Sequence, residues 1–232
     1  MRISDAHLHL LNAAVPYPGI GDAELLFSCV AQHSEWKTQT SGNDAKIVRF
    51  YGIHPWYAEQ WDAAVSEELR TVLGDDPEAQ VGEIGLDSKR GDLTVQEEVF
   101  AEQLDIASEF GRCVNIHNIG CDGKVISMLK EHGKGCGSVI LHSFRSPDVR
   151  PFLGTDCYFS VNPRILSKSE ENIIQILTRI PKDRLLLESD YPYVTKDFIS
   201  MEEFVARLAG MLGTDPDSLA ETAADNLRRT IG

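Results

Sequence analysis

The stretch Ile3-Ser4-Asp5-Ala6-His7-Leu8-His9-Leu10 combines an apolar segment with two histidines spaced two residues apart. Residues two apart on a β-strand point to the same face of the sheet, so the imidazoles of His7 and His9 would project together. Two neighbouring imidazoles suit one metal ion, although an isolated His-x-His pattern is weakly specific. The pattern gains weight because apolar segments that end in ligand-type residues recur along the whole chain.

Eight such segments predict eight β-strands, at about residues 2–10, 24–30, 46–53, 79–86, 113–118, 138–144, 157–161 and 184–188. They are apolar throughout instead of alternating, as is typical of parallel strands that are covered on both faces. Strands that alternate with helices predict an α/β fold, a single (β/α)8 TIM barrel domain over residues 1–232. We expect slight distortion near strands 1 and 2, where residues 15–21 are too rich in Pro and Gly for a helix. An open doubly wound sheet is the alternative, but no Gly-rich phosphate loop follows the first strand.

Helical periodicity predicts helices over about residues 58–73, 94–110, 122–132, 169–178, 201–212 and 216–229, with a short helix near 147–153. Polar residues mark two of the starts. Asp92 or Thr94 is expected to cap the second helix, and Thr214 or Asp215 the last, which has Pro216 at its first position.

Composition limits the function classes. With 42% hydrophobic and 25% charged residues the chain can form a globular core. The net charge of −14 argues against a broad basic surface for nucleic acid, but not against local binding of a few nucleotides. Five cysteines without CxxC spacing indicate reduced thiols, which favours a cytoplasmic protein. No long apolar run and no leader-like start are present, so no membrane partner is expected, and the sequence specifies no oligomeric state.

Six ligand-type residues lie at or just after predicted strands: His7, His9, Glu83, His117, His142 and Asp190. In a barrel the carboxyl ends of all strands converge on one mouth. Four imidazoles and two carboxylates there could bind two divalent ions such as Mg²⁺, Mn²⁺ or Zn²⁺. Any one of the histidines, taken singly, is more often structural, so the prediction depends on their recurrence as a set.

These residues lie in motifs that resemble the TatD-type metal-dependent hydrolases of the amidohydrolase superfamily, whose known members are mostly metal-dependent deoxyribonucleases. The matching segments are Asp5-Ala-His-Leu-His9, Gly52-Ile-His-Pro55, Val81-Gly-Glu-Ile-Gly-Leu-Asp87, Ile116-His117, Leu141-His-Ser-Phe144 and Leu185-Leu-Leu-Glu-Ser-Asp-Tyr-Pro-Tyr193. The resemblance extends over nearly the whole chain, and the spaced set of motifs is highly specific as a group.

The resemblance implies a first metal ion held by His7, His9 and Asp190, and a second held by His117 and His142. Glu83 would bridge the two ions, and a water between them would be the nucleophile. Asp190 would take the proton of that water and pass it to the leaving group.

Other residues near the mouth have two interpretations each. His54, in the Gly-Ile-His-Pro turn, matches a family position outside the metal shell, where it could contact a scissile phosphate or carbonyl or simply pack in its loop. Arg164 could bind phosphate or a substrate carboxylate. The aromatic residues Trp56, Tyr191 and Tyr193 could stack on a base or line the mouth.

Two departures from the family pattern concern the substrate. Asn118-Ile119 follows His117 where the family usually has Ser-Arg, and the segment after Tyr193 is shorter than usual. We therefore expect a hydrolase, with TatD-type deoxyribonuclease activity on single-stranded DNA as the first hypothesis. Hydrolysis of a small ester, amide or lactone at the same site is the alternative, and a non-enzymatic metal-binding barrel is the second alternative.

Overall fold

Eight parallel strands form the centre of the computed structural model, which describes residues 1, 3–12, 17, 23–40, 46–194 and 199–232. Each strand pairs with the next along the chain, in the order β1 to β8. The strands are β1 (Ile3–Leu8), β2 (Ala23–Cys29), β3 (Ile47–Tyr51), β4 (Gln80–Asp87), β5 (Val114–Ile119), β6 (Val139–Leu141), β7 (Cys157–Val161) and β8 (Leu185–Leu187).

Helices connect most of the strands and cover the outside of the sheet. They are α1 (Trp36–Thr40), α2 (Ala63–Asp75), α3 (Leu93–Glu109), α4 (Asp122–Glu131), α5 (Glu170–Arg179), α6 (Met201–Leu212) and α7 (Pro216–Arg229). Side-chain hydrogen bonds identify the N-terminal caps of α3 and α7, for each of which the sequence offered two candidates. The Asp92 carboxylate accepts from the Thr94 backbone N–H, and the Asp215 carboxylate accepts from that of Ser218.

Several predicted element boundaries are wrong. The helix expected from residue 58 begins at Ala63, because Pro55–Gln60 form a 3-10 helix and Asp62 caps the backbone N–H groups that follow it. The short helix near 147–153 is a 3-10 helix at Arg150–Thr155, and α1 was not predicted.

Two predicted ligands lie just beyond their strands instead of within them. β1 ends at Leu8, and the backbone N–H of His9 donates to Tyr191 O at 2.7 Å. β6 ends at Leu141, before His142. Both histidines therefore lie where the chain leaves the sheet, which still places them at the carboxyl end of the barrel.

The strand order confirms the TIM-barrel prediction, with one unsealed seam between β8 and β1. No strand ladder joins these two strands in the described part of the chain. The hydrogen bonds that cross the seam instead include Asp190 N–H to His7 O at 2.9 Å, His9 N–H to Tyr191 O, and Ser189 N–H to the Asp5 carboxylate at 2.9 Å. The pairing of β1 with β2 also contains two register shifts, in the region where distortion was expected. The Pro- and Gly-rich segment to which we attribute this distortion, residues 15–21, lies outside the described residues except for Tyr17.

The core lies on both faces of the sheet. Every residue of β4 is buried, as expected for a strand covered on both sides. Phe27 and Phe50 pack together with ring centroids 5.0 Å apart, in a cluster built mainly from strand residues. A larger cluster joins other strand residues, such as Tyr51, to helix residues, such as Phe204. In the described part of the chain, no helix has both the length and the apolar character needed to cross a membrane.

Candidate active site

A cavity of about 370 Å³ opens at the carboxyl ends of the strands. Among its lining residues are five of the six predicted metal ligands: His9, Glu83, His117, His142 and Asp190. The sixth, His7, is completely buried beside them, with its Nε2 atom 3.0 Å from His9 Nε2. The structure thus brings all six side chains together at the mouth of the barrel.

The Asp190 backbone places its side chain at the seam of the barrel. Asp190 has a left-handed conformation with φ of 52°, which aspartate tolerates better than most residues. Its backbone N–H donates to His7 O, and its carbonyl accepts from the Tyr193 N–H at 2.8 Å. The chain after β8 is thereby fixed to β1, and the carboxylate lies 3.9 Å from His7 Nε2.

The Glu83 carboxylate lies at the centre of the histidines. Its Oε1 atom is 2.9 Å from His117 Nδ1 and 3.0 Å from His142 Nε2, and its Oε2 atom is 3.3 Å from His9 Nε2. Burial opposes ionisation of this carboxyl, but the surrounding imidazoles, His54 and His142 foremost, hold its pKa well below the usual range. Both oxygens of Glu83 therefore face ligand-type nitrogens, as a carboxylate that bridges two ions would require.

Buried hydrogen bonds orient two of the histidines. His7 Nδ1 lies 2.9 Å from Asn115 Oδ1, and the Asn115 amide nitrogen is held by Ala6 O, so the amide oxygen faces the ring. His142 Nδ1 lies 3.2 Å from the Glu188 carboxylate, which can only accept. In both rings Nδ1 is thus a donor, and Nε2 faces the site, where it can bind a metal ion once the ring is neutral.

His117 lies between two carboxylates. Its Nδ1 atom faces Glu83, and its Nε2 atom is 3.5 Å from Asp87 Oδ2. Burial lowers the pKa of His117, but these two carboxylates outweigh burial and raise it. The Asp87 carboxylate can accept a hydrogen bond from a protonated Nε2 of His117, which leaves Nδ1 to serve as a ligand.

The donor set fits divalent ions. Two imidazole nitrogens 3.0 Å apart, with lone pairs facing each other, repel unless a proton or cation lies between them. Two imidazoles on one tetrahedral ion, with metal–nitrogen bonds of 2.0–2.1 Å, would have their nitrogens about 3.3 Å apart. Three compact groups of ligand atoms occur among the described residues: His7 with His9 and Glu83, His7 with His142 and Asp190, and His54 with Glu83 and His117.

These groups divide the six ligands differently from the division that the family resemblance implies. His142 lies with His7 and Asp190, and the rings of His7 and His142 stack with centroids 3.9 Å apart. His117 instead lies with Glu83 and His54. The assignment of each residue to a particular ion therefore stays a prediction.

His54 lies at the mouth and presents Nε2–H, a hydrogen-bond donor, to the cavity. Its Nδ1 atom accepts the Trp56 backbone N–H at 3.1 Å, and its Nε2 atom is 3.4 Å from Glu83 Oε1. Burial lowers the pKa of His54 to about 4 despite the attraction of Glu83, so the ring is neutral near pH 7. A neutral imidazole that accepts at Nδ1 carries its proton on Nε2 and has no lone pair there for a metal.

Arg164 lies in the 3-10 helix Pro163–Ser167 after β7 and reaches the rim of the cavity. Its guanidinium donates to Tyr193 O at 3.0 Å and lies 3.5 Å from the Asp190 carboxylate. It is the one Lys or Arg among the described residues that line the cavity. Asn118 and Ile119, which form the first departure from the family pattern, also line it, whereas residues 195–198 of the shortened loop, the second departure, lie outside the described residues.

Sequence reasoning missed the residues that hold the ligands in place, namely Asn115, Glu188 and Asp87. All are polar residues that are buried on or beside strands. Glu188 precedes Asp190 by two residues, and Asp87 follows Glu83 by four, so same-face spacing gave a signal for both. Asn115 also lies two residues before a ligand, His117, yet its contact is with His7, 108 positions away along the chain.

Comparisons with known proteins identify the family of the chain. The family model described as TatD related DNase matches residues 5–232. The uncharacterized metal-dependent hydrolase TatD of Mycobacterium tuberculosis is 25% identical over 218 residues, covering 87% of this chain and 82% of that protein. The 3'-5' ssDNA/RNA exonuclease TatD of Pectobacterium atrosepticum is 26% identical over 197 residues, covering 78% and 76%.

A solved structure has the same architecture. The TatD homologue YJJV from Escherichia coli K12 superposes with a TM-score of 0.83 at 21% identity, covering 99% of this chain and 98% of that one, which supports the fold. Because the family match leaves out only the first four residues, this chain belongs to the TatD related DNase family of metal-dependent hydrolases.

Proposed function

We propose that the chain hydrolyses phosphodiester bonds at an end of single-stranded nucleic acid, with two divalent metal ions held by His7, His9, Glu83, His117, His142 and Asp190. The observation that carries the proposal is the convergence of these six side chains on one cavity at the carboxyl end of the barrel. The substrate class is suggested by relatives that are named ssDNA/RNA exonucleases. Mg²⁺, Mn²⁺ and Zn²⁺ are the candidate ions, because the donors are imidazoles and carboxylates.

The charge of the site supports the use of metal ions. Four buried carboxylates, those of Glu83, Asp87, Glu188 and Asp190, lie at or directly behind the cavity. With the imidazoles neutral, as metal ligands must be, these carboxylates would repel a phosphodiester anion unless cations balance them. Divalent ions, when bound, supply Lewis-acid polarisation of the phosphoryl group and lower the pKa of a bound water. The protein's own contribution is to hold the donors, the proton acceptor and the substrate in fixed positions.

Asp190 is the proposed proton acceptor. Its buried carboxylate takes a proton from the attacking water and returns it to the leaving oxygen. Burial raises the pKa of Asp190, which makes its carboxylate a better proton acceptor than that of an exposed aspartate. The hydrogen bonds of its backbone to β1 and to Tyr193 fix where this exchange takes place.

His54 and Arg164 are the proposed substrate contacts. The His54 ring is neutral near pH 7, and its Nε2–H can donate a hydrogen bond to an oxygen of the scissile phosphate. The Arg164 guanidinium, at the rim and beside Asp190, can bind a phosphate through paired N–H donors. Both residues line the cavity that the phosphate would enter.

Asp190→Asn tests this proposal. We expect nuclease activity with added Mg²⁺ or Mn²⁺ to fall about 10²- to 10⁴-fold, the range for loss of a general base, in protein shown by metal analysis to stay loaded. Asp183→Asn, which changes an exposed aspartate near the opposite end of the barrel, is the matched control and should keep full activity. Full activity in Asp190→Asn, or activity of the wild type that survives EDTA, would contradict the proposal.

A second candidate activity, hydrolysis of a small ester, amide or lactone, is favoured by one observation. Ile119, where the family usually has Arg, lines the cavity and offers no charge to a phosphate. A panel of p-nitrophenyl esters, lactones and labelled oligonucleotides, assayed with the same metal ions, separates the two. Turnover of esters without turnover of DNA or RNA would select the second activity.

A further inference from the structure

Two exposed aromatic side chains lie at the mouth of the cavity. Of the exposed large apolar residues among those described, only Trp56 and Tyr193 line it, with 44% and 51% of their surfaces exposed. Trp56 flanks the His117 side, with ring centroids 6.2 Å apart, and Tyr193 flanks the His9 side, at 5.1 Å. Exposed apolar surface concentrated at a pocket is typical of a ligand-binding surface.

Trp56 is held rigidly. Its indole N–H donates to Asp87 Oδ2 at 2.6 Å, and its backbone N–H donates to His54 Nδ1. The guanidinium carbon of Arg90 lies 3.9 Å from the centre of the ring. A side chain that is already fixed loses little conformational entropy when a ligand stacks on it.

The Trp56 indole keeps exposed surface at the cavity although Arg90 covers part of it. Its side chain is 44% exposed and lines the cavity, while Arg90 packs on the ring and is not a lining residue. This exposed surface is flat and apolar, which suits a nucleobase or a similar planar ring.

Three other aromatic side chains pack within the protein instead of lining the cavity. Tyr191 packs against Tyr17 at 5.3 Å between ring centroids, against an apolar cluster. Trp36 is buried, and the Trp61 indole donates to Glu102. Tyr57 also lines the cavity, but it is less exposed than Trp56 and Tyr193.

We propose that the terminal base of a single-stranded substrate stacks on the exposed indole of Trp56, with Tyr193 at the other side of the mouth, so that Trp56 makes the enzyme prefer a substrate with a base next to the scissile bond. This inference rests on the proposed function. Asp87 connects Trp56 to the catalytic centre, because the Oδ2 atom that accepts the indole N–H also lies 3.5 Å from His117 Nε2. Stacking tolerates any base, so the preference is for a planar ring and not for a sequence.

The test compares two oligonucleotides that differ only in their terminal residue, one with a base and one abasic. Stacking on an aromatic side chain is worth about 5- to 150-fold in affinity, and this factor should appear in KM with little change in kcat. Binding without cleavage is measured with phosphorothioate versions of both oligonucleotides, which are titrated into the protein while its Trp fluorescence is recorded. We expect the base-containing end to quench the fluorescence at lower concentration.

Matched variants identify the residue responsible. Trp56→Leu should remove the preference for a base, Trp56→Phe should keep most of it, and Trp61→Phe, outside the cavity, should leave both preference and activity unchanged. Circular dichroism verifies that each variant is folded. An unchanged preference in Trp56→Leu, or wild-type cleavage of both ends with equal KM, overturns this inference alone. If neither oligonucleotide is bound or cleaved, the proposed function falls with it.

Discussion

The Glu188 carboxylate is completely buried behind His142 and accepts three hydrogen bonds at one oxygen. These come from His142 Nδ1 at 3.2 Å, the Ser143 backbone N–H at 2.8 Å and the Asn162 amide at 3.0 Å. Burial raises the pKa of Glu188, but His142 outweighs burial and lowers it, so the group is an anion. A carboxylate behind a metal-binding imidazole fixes its tautomer and increases its basicity.

Glu188→Gln removes this charge and keeps the shape. The glutamine carbonyl oxygen can accept the same three hydrogen bonds, and its new amide group takes the position of Oε2. Folding stability should therefore change little. Loss of such a partner typically costs 10- to 100-fold in metal affinity, or about 1.4–2.7 kcal/mol.

Calorimetric titration with Mn²⁺ or Zn²⁺ measures this loss directly, and urea unfolding of the metal-free protein measures stability. Glu98→Gln, an exposed glutamate on α3, is the matched control and should bind metal as the wild type does. Wild-type metal affinity in Glu188→Gln would refute the argument that this carboxylate tunes His142. A large loss of stability would instead show that the amide cannot replace the carboxylate in its hydrogen bonds.

Two further predictions follow from particular residues. His142 has its pKa raised to about 9 by Glu83 and Glu188, against the effects of burial and of His7, so the metal-free ring is protonated at pH 7. Because a metal ion binds only the neutral ring, Mn²⁺ affinity should rise with pH between 6.5 and 8.5, by up to tenfold per pH unit for each proton released. Calorimetry in buffers of different ionisation enthalpy counts the protons released. An Mn²⁺ affinity independent of pH would contradict the assignment of His142 as a ligand that is protonated without metal. Asp215→Ala removes the cap of α7 and should lower the free energy of unfolding by about 1 kcal/mol in urea, whereas Glu221→Ala, on the exposed face of the same helix, should leave it nearly unchanged. Equal stability of the two variants would show that the cap contributes nothing.

The sequence determined the barrel and the identity of the predicted ligands, because both depend on local patterns. Apolar segments separated by helical periodicity specified eight strands in order, and α6 and α7 have the bounds expected from their periodicity. Since parallel strands in a barrel share one carboxyl end, residues at strand ends had to meet there. His9 and His142 lie in the site although β1 and β6 end one residue before them. A residue that directly follows a strand still lies at the carboxyl end of the barrel, so the exact last residue of the strand does not change its place in the site.

Only the tertiary structure decided how those residues are held and what each can do. The partner of His7 is Asn115, 108 positions away, and that of His142 is Glu188, 46 positions away. Such contacts depend on the register between distant strands and on buried hydrogen bonds, so a local pattern can mark a residue such as Glu188 but cannot identify its partner. The same holds for His54, which accepts from Trp56 N–H and is therefore left with a proton on Nε2. The tautomers, and with them the division between metal ligand and hydrogen-bond donor, follow from packing.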